Sequence, residues 1–169
     1  MHMIFTGNPG TGKTTIARIL AKYLKAIGAL RGGQLVEVTR ADLVGRYVGH
    51  TAPLTNQVIQ SALGGVLFID EAYSLYRGGE DSFGLEAIDT LVKGIEDHRD
   101  DLVVILAGYS KEMALFLTAN SGLASRFPNQ IEFPDYTGAE LLAITQSIAK
   151  SKGYRLDDAC AMPLVAFFD

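Results

Sequence analysis

The sequence predicts an α/β fold, a parallel sheet with helices on both faces, and three observations predict it. Gly7-Asn8-Pro9-Gly10-Thr11-Gly12-Lys13-Thr14 fits the phosphate-loop spacing G-x-x-x-x-G-K-[ST] and lies between an apolar strand and an amphipathic helix. Val66-Leu67-Phe68-Ile69 and Leu102-Val103-Val104-Ile105-Leu106-Ala107 are unbroken apolar runs, the pattern of strands buried on both faces of a sheet. Strand and helix patterns alternate along the chain, as they do where strands pair in parallel through helical crossovers.

Each element has its own justification. Met1 to Thr6 is a short apolar strand that leads into the glycine-rich turn. The helix after it, Thr15 to Ile27, carries Ile16, Ile19, Leu20, Tyr23, Leu24 and Ile27 at helical spacing, and Gly28 ends it because glycine takes the left-handed cap conformation without a Cβ penalty. Gly32-Gly33 marks a turn before the strand Leu35-Val36-Glu37-Val38. A loop runs through residues 42–50. Thr51 is expected to cap the next helix, with Pro53 just inside it and Leu54, Val58, Ile59, Ala62 and Leu63 on its buried stripe. Gly64-Gly65 closes that helix and opens the strand Val66–Ile69, which ends in Asp70-Glu71. After a loop from Tyr76 to Gly84, a helix places Leu85, Ile88, Leu91, Val92 and Ile95 on one face. The strand 102–107, a helix over about 111–118, a loop over 120–127 and the strand Gln130–Phe133 complete five strands and four helices. The boundaries of the core are 1–135. From Tyr136 the pattern changes to helix alone, and 136–169 is expected to be the opening of a helical lid subdomain cut short.

Composition narrows the class. A chain of 169 residues with 48% hydrophobic content can fill the core of one domain, which argues against disorder. A net charge of −4 offers no basic footprint for nucleic acid. No apolar run reaches the ~18 residues of a membrane span, and no signal-peptide pattern opens the chain. The single cysteine, Cys160, allows no internal disulfide and is expected to be a small buried apolar residue; a cytoplasmic setting suits it. The mixed-sign cluster Glu96-Asp97-His98-Arg99-Asp100-Asp101 is expected to be a solvated loop, not a metal site.

The chemistry lies at the carboxyl ends of the strands, where ligands bind on sheets of this kind. In the loop, glycines let successive backbone N–H groups curl around a phosphate chain at the positive end of the following helix. Asn8, Pro9, Gly10, Thr11, Gly12, Lys13, Thr14 and Thr15 form the expected phosphate contact set, with Lys13 on the β- and γ-phosphates and the Thr14 hydroxyl on Mg²⁺. Asp70 is the second expected Mg²⁺ partner, through a water, and Glu71 the base that orients and deprotonates an attacking water. Otherwise both acids are exposed loop residues. Adjacent carboxylates at a strand end are costly unless they meet a cation or solvent. A water-activating glutamate also argues for hydrolysis over transfer to a small acceptor.

Gly7–Thr14, Phe68-Ile69-Asp70-Glu71, Tyr47-Val48-Gly49-His50-Thr51-Ala52 and Gly122-Leu123-Ala124-Ser125-Arg126-Phe127 together resemble an AAA+ ATPase. Gly64-Gly65-Val66-Leu67-Phe68-Ile69-Asp70-Glu71-Ala72-Tyr73 and Phe133-Pro134-Asp135-Tyr136 are similar to the group typified by stage V sporulation protein K and the red-type Rubisco activases, most closely its sporulation branch. The resemblance covers nearly the whole chain. It implies a three-layer phosphate-loop NTPase sandwich with sheet order 5-1-4-3-2, ATP or ADP with Mg²⁺ as cofactors, a ring-shaped homo-oligomer, usually a hexamer, and a protein client threaded or remodelled by it.

The resemblance also implies roles that the residues alone do not. Arg126 stands at the position of the arginine finger that reaches the γ-phosphate of the neighbouring subunit; by itself a lone arginine is more readily read as a surface ion pair. Tyr47-Val48-Gly49 stands at the first pore loop, an aromatic grip on a flexible hinge, and the alternative is that Tyr47 packs on its own domain. Tyr76–Gly84 would be a second pore loop. The chain departs from the family where a polar sensor usually ends the fourth strand: it has Ala107-Gly108-Tyr109, so Tyr109 is the candidate water-orienting and nucleotide-sensing residue. The lid arginine and the adenine-holding segment of the family fall outside the sequence, which is therefore expected to be a fragment that binds nucleotide better than it cleaves it. Three functions compete: an ATP-driven protein remodeller, a nucleotide-binding interaction module with negligible turnover, and a small-molecule phosphotransferase.

Overall fold

β1 (Met3–Gly7) is the strand about which the sheet is arranged in the computed structural model, which describes residues 2–8, 12–78 and 80–133. It pairs in parallel with β4 (Val103–Gly108) on one side and with β5 (Asn129–Phe133) on the other. Beyond β4 lie β3 (Val66–Ile69) and then β2 (Leu35–Val38) at the edge. The order β2-β3-β4-β1-β5 is the predicted 5-1-4-3-2 sheet read from its other edge.

Alternate residues of the buried strands feed two cores. Met3, Phe5, Val66, Phe68, Val103 and Ile105 point to one face and meet Ile16, Leu20 and Leu24 of α1 (Lys13–Ala26). Ile4, Leu67, Ile69, Val104 and Leu106 point to the other, where α3 (Thr51–Ala62), α4 (Ser82–Asp97) and α5 (Ser110–Ala119) supply Ile59, Leu91, Met113 and Phe116. This is why β3 and β4 carry no polar residue: neither face sees water. The crossover after β1 covers one face and the crossover after β4 covers the opposite face. The two crossovers therefore leave these parallel neighbours toward opposite edges of the sheet, and between their carboxyl ends a crevice opens.

Several local features differ from the sequence expectations. Residues 42–50 are not all loop: a short helix α2 (Arg40–Leu43) follows β2, stabilised by reciprocal capping between Thr39 and Asp42. Thr51 is not the cap of α3 but its first residue. Its hydroxyl turns back to accept a hydrogen bond from Gly45 N–H (2.9 Å), a buried donor that needs it more than the helix end does. A 3₁₀ turn (Ala72–Leu75) follows the two acids, and α4 begins at Ser82, capped by Asp81, so the loop expected over Tyr76–Gly84 is shorter than its sequence implied. A further short helix, α6 (Ser121–Ala124), occupies the 120–127 loop. The 96–101 cluster is exposed or half-buried throughout, as expected, but Glu96 and Asp97 belong to α4, Glu96 pairs with Arg126, and Asp101 makes a two-pronged pair with Arg31 (2.6 and 2.7 Å). Cys160 and the lid segment 136–169 lie outside the described residues.

Candidate functional site

The carboxyl ends of β1, β3 and β4 converge on one cleft of about 380 Å³, within the size range of small-molecule sites. It is lined by Gly7, Gly12, Lys13, Thr14, Thr15, Asp70, Glu71, Gly108 and Tyr109. Pro9, Gly10 and Thr11 lie outside the described residues; Asn8, which is described, is exposed.

The turn out of β1 depends on two glycines. Gly7 has φ +144°, and a Cβ there would collide with the Phe133 carbonyl of the neighbouring β5. Gly12, at φ +93°, is the residue before α1 and offers no side chain to cap it, and the first turn holds no acid. The leading N–H groups of a 14-residue helix thus lack an internal acceptor and face the cleft, together with the positive end of the helix dipole. This is an anion cradle. Lys13 Nζ donates to the carbonyls of Gly7 (2.6 Å) and Asn8 (3.1 Å), which folds the lysine back over the turn. Burial lowers its pKa and the nearby Asp70 carboxylate opposes that shift.

The acids come from the end of β3. Asp70 N–H still belongs to the sheet, donating to Val38 C=O (2.9 Å), while its Oδ1 accepts from Glu71 N–H (2.9 Å). Glu71 has φ 49° and ψ 45°, the one non-glycine residue with positive φ among the described residues. That conformation costs of order 1–3 kcal/mol and tends to persist where structure around it enforces it. Here the enforcement is visible: Glu71 C=O accepts from both Ser74 N–H (2.9 Å) and Ser74 Oγ (2.7 Å). The kink carries the Glu71 side chain out of the strand and into the mouth of the cleft, where it is exposed.

Thr14 and Asp70 present a hydroxyl and a carboxylate to the same space. A hard-oxygen pair of this kind, beside an anion cradle, fits Mg²⁺ bound jointly by protein and phosphate. Tyr109, half-buried, lines the cleft just beyond the end of β4, with its ring centroid 6.2 Å from that of Tyr73. Tyr73 and Gly108 are the two residues that sequence reasoning missed. Burial first, then the Glu71 carboxylate, pushes the Tyr73 phenol above its usual range, so it stays a neutral donor. Gly108 is small because a Cβ there would lie 2.9 Å from both the Tyr73 ring and Met113 Sδ. The signal that could have found them was the position of each beside a strand-end acid or a strand-end tyrosine.

Arg126 and the Tyr47-Val48-Gly49 turn lie elsewhere. Arg126 precedes β5 at the amino end of the sheet, and β1, about 16 Å of strand, separates that end from the phosphate turn. Its guanidinium is held within the chain by Glu96 and by the Gly122 carbonyl (2.5 Å). Tyr47 and Val48 are 67% and 88% exposed, on a turn where Gly49 takes φ +85°. Tyr47 touches the His50 ring edge-on at 5.5 Å and does not pack on the body of the domain.

The family model for AAA, the ATPase family associated with various cellular activities, matches residues 3–135. The chain belongs to that family. The AAA chain is 55% identical over 156 residues to stage V sporulation protein K of Bacillus subtilis (strain 168), covering 92% of this chain and 48% of that protein. It is 54% identical over 157 residues to the chloroplastic ribulose bisphosphate carboxylase/oxygenase activase of Cyanidioschyzon merolae, covering 92% and 54%. The group indicated by the sequence motifs is therefore the right one. The chain spans about half the length of the curated relatives it matches. Among solved structures, the FIGL-1 AAA domain in complex with ADP superposes with a TM-score of 0.57 at 22% identity, over 89% of this chain and 48% of that one, which supports the fold. No helix among the described residues is long and apolar enough to cross a membrane.

Proposed function

We propose that this AAA chain binds ATP with Mg²⁺ in the β1–β3–β4 cleft and hydrolyses it, and that the protein carrying it works as a ring that remodels a protein client. One observation carries the reading: Lys13 and Thr14 from the turn after β1, and Asp70 and Glu71 from the end of β3, line a single cleft beside an uncapped helix N-terminus.

Each side chain has a task. Lys13 leaves the Gly7 and Asn8 carbonyls for the β- and γ-phosphate oxygens, and its partly buried ammonium meets little competition from water. Thr14 and Asp70 hold Mg²⁺, which when bound neutralises charge developing on the phosphates. Glu71, aimed into the cleft mouth by its left-handed backbone, takes the proton of the attacking water. Tyr109 orients that water or senses the γ-phosphate in place of a smaller polar residue. Arg126 acts on the neighbouring subunit's nucleotide, and its location far from its own cleft supports a role in trans. Tyr47, Val48 and Gly49, exposed on a glycine-hinged turn, grip the client.

The reading is tested by Glu71→Gln and Lys13→Ala in this chain and in its full-length parent. Glu71→Gln should retain ATP affinity while turnover falls by ~10² or more, and Lys13→Ala should lose binding. Wild-type turnover in Glu71→Gln would overturn it.

A second reading, a nucleotide-binding module with negligible turnover, is favoured for the isolated chain by the Arg126–Glu96 pair. Among the described residues no arginine lines the cleft, and Arg126 is engaged within its own subunit instead of being free for a neighbour's.

A further inference from the structure

Arg40, the first residue of α2, joins three segments that are far apart in sequence. Its guanidinium donates to Ser74 C=O (2.8 Å) and grips both oxygens of Asp81 (2.7 and 3.0 Å). Ser74 belongs to the 3₁₀ turn and is tied by two hydrogen bonds to the Glu71 carbonyl. Asp81 caps α4, its Oδ1 also accepting from Gly84 N–H (3.2 Å). The Arg40 and Asp81 side chains are only 17% and 14% exposed. Gly84 completes the junction: a Cβ there would strike the Leu75 carbonyl, so α4 rests on the 3₁₀ turn with no room for a methyl.

The other end of α2 leads to the exposed Tyr47 turn. Leu43 C=O accepts from Thr55 Oγ1 (2.9 Å) and Gly45 N–H donates to Thr51 Oγ1 (2.9 Å), so the base of that turn is fixed to α3 and only residues 46–50 project. One unbroken series of short hydrogen bonds and rigid elements therefore runs from Glu71 through Ser74, Arg40 and α2 to the tip. Glu71 is a suitable origin, because a residue held in the left-handed region has a lower-energy conformation to relax into when its surroundings change. A forked guanidinium transmits such a displacement better than a lysine would, because its donors are fixed in one plane.

We infer that Arg40 is a positioning residue that couples the Glu71 turn to the Tyr47–Gly49 tip, so that the state of the nucleotide cleft sets the placement of the tip. The inference rests on the reading of the cleft given under Proposed function. The test places an environment-sensitive fluorophore on Val48→Cys in this chain, with Cys160→Ser, and compares emission in ADP and in a non-hydrolysable ATP analogue. Affinity for both nucleotides is measured by calorimetry on the same samples. Expected are a shift between the two states in the otherwise wild-type chain and loss of that shift in Arg40→Ala and Asp81→Asn, with nucleotide affinity unchanged. A merely structural role would lower the melting temperature and leave the shift intact, and that result would overturn the inference. If Arg40→Ala does not fold, the isosteric Asp81→Asn decides between the two outcomes alone. A tip that does not respond although nucleotide binds would sink the coupling and spare the cleft; failure of the otherwise wild-type chain to bind nucleotide would sink both.

Discussion

Asp81 shows what a single ion pair contributes when it is mostly withdrawn from water. Its hydrogen bonds from Arg40 hold its carboxyl below the usual carboxylate range, with burial opposing and the Gly84 N–H assisting. A depressed folded-state pKa means that the contribution is present above the unfolded value, about 3.9, and disappears as pH falls through the folded value. Asp81→Asn should therefore destabilise the chain by about 1–3 kcal/mol at neutral pH, in denaturant unfolding, and by progressively less as the pH is lowered below ~4. A gap that widened in acid would contradict the pairing. Arg31–Asp101 has similar geometry, but Arg31 is 69% exposed and belongs to the class of surface pairs worth little. At this scale the sequence was legible wherever a pattern fixes several residues at once. Lys13, Thr14, Asp70 and Glu71 could be placed at neighbouring strand ends because spacing and strand context identify them together, and they line one cleft. Arg40 and Asp81 were not, because an ion pair spanning 41 positions leaves no local signature. His2 is a similar case: it is buried, with Nδ1 accepting from Val104 N–H (3.0 Å), a contact 102 positions away.

The Tyr47 turn is the element whose character sequence captured least. Its exposed aromatic was visible; its anchorage was not, because Thr51 has the identity and position of a helix cap and instead serves a loop. Both Thr51 and Thr55 are fully buried. Thr51→Val keeps the shape and deletes the acceptor of Gly45 N–H, leaving a buried donor unsatisfied at about 1–3 kcal/mol. Hydrogen exchange should then accelerate across residues 43–50 while the amides of β1, β3 and β4 keep their protection. Uniform acceleration would instead mean that Thr51 supports the whole fold. Strands were the most readable elements, since β3 and β4 are apolar throughout and β2 was placed at its observed limits. Short helices such as α2 and α6, of four residues each, lie below the length at which periodicity can be detected.

For the whole molecule, the separation of Arg126 from the cleft becomes decisive. If the second half of each active site comes from the next subunit, specific ATPase activity must rise with protein concentration in the full-length protein and level off as rings fill. Arg126→Ala should remove that rise, at a cost of ~10³ or more in turnover, while nucleotide binding is retained. Turnover independent of concentration and unaffected by Arg126→Ala would place catalysis within one subunit. The sheet order followed from resemblance, not from spacing, because alternating strands and helices are compatible with several parallel arrangements. The structure shows what the observed one achieves: with β1 between β4 and β5, the phosphate turn and Tyr109 meet across a crevice that a consecutive order would not create.

The left-handed backbone at Glu71 sets folding and chemistry against each other at one position. Glycine there would relieve the steric cost and should yield a sturdier domain, yet it would delete the carboxylate to which the proposed mechanism gives the attacking water's proton. On the proposed reading, a laboratory selection for heat resistance alone would be drawn to residue 71 and would return well-folded proteins that no longer turn over ATP.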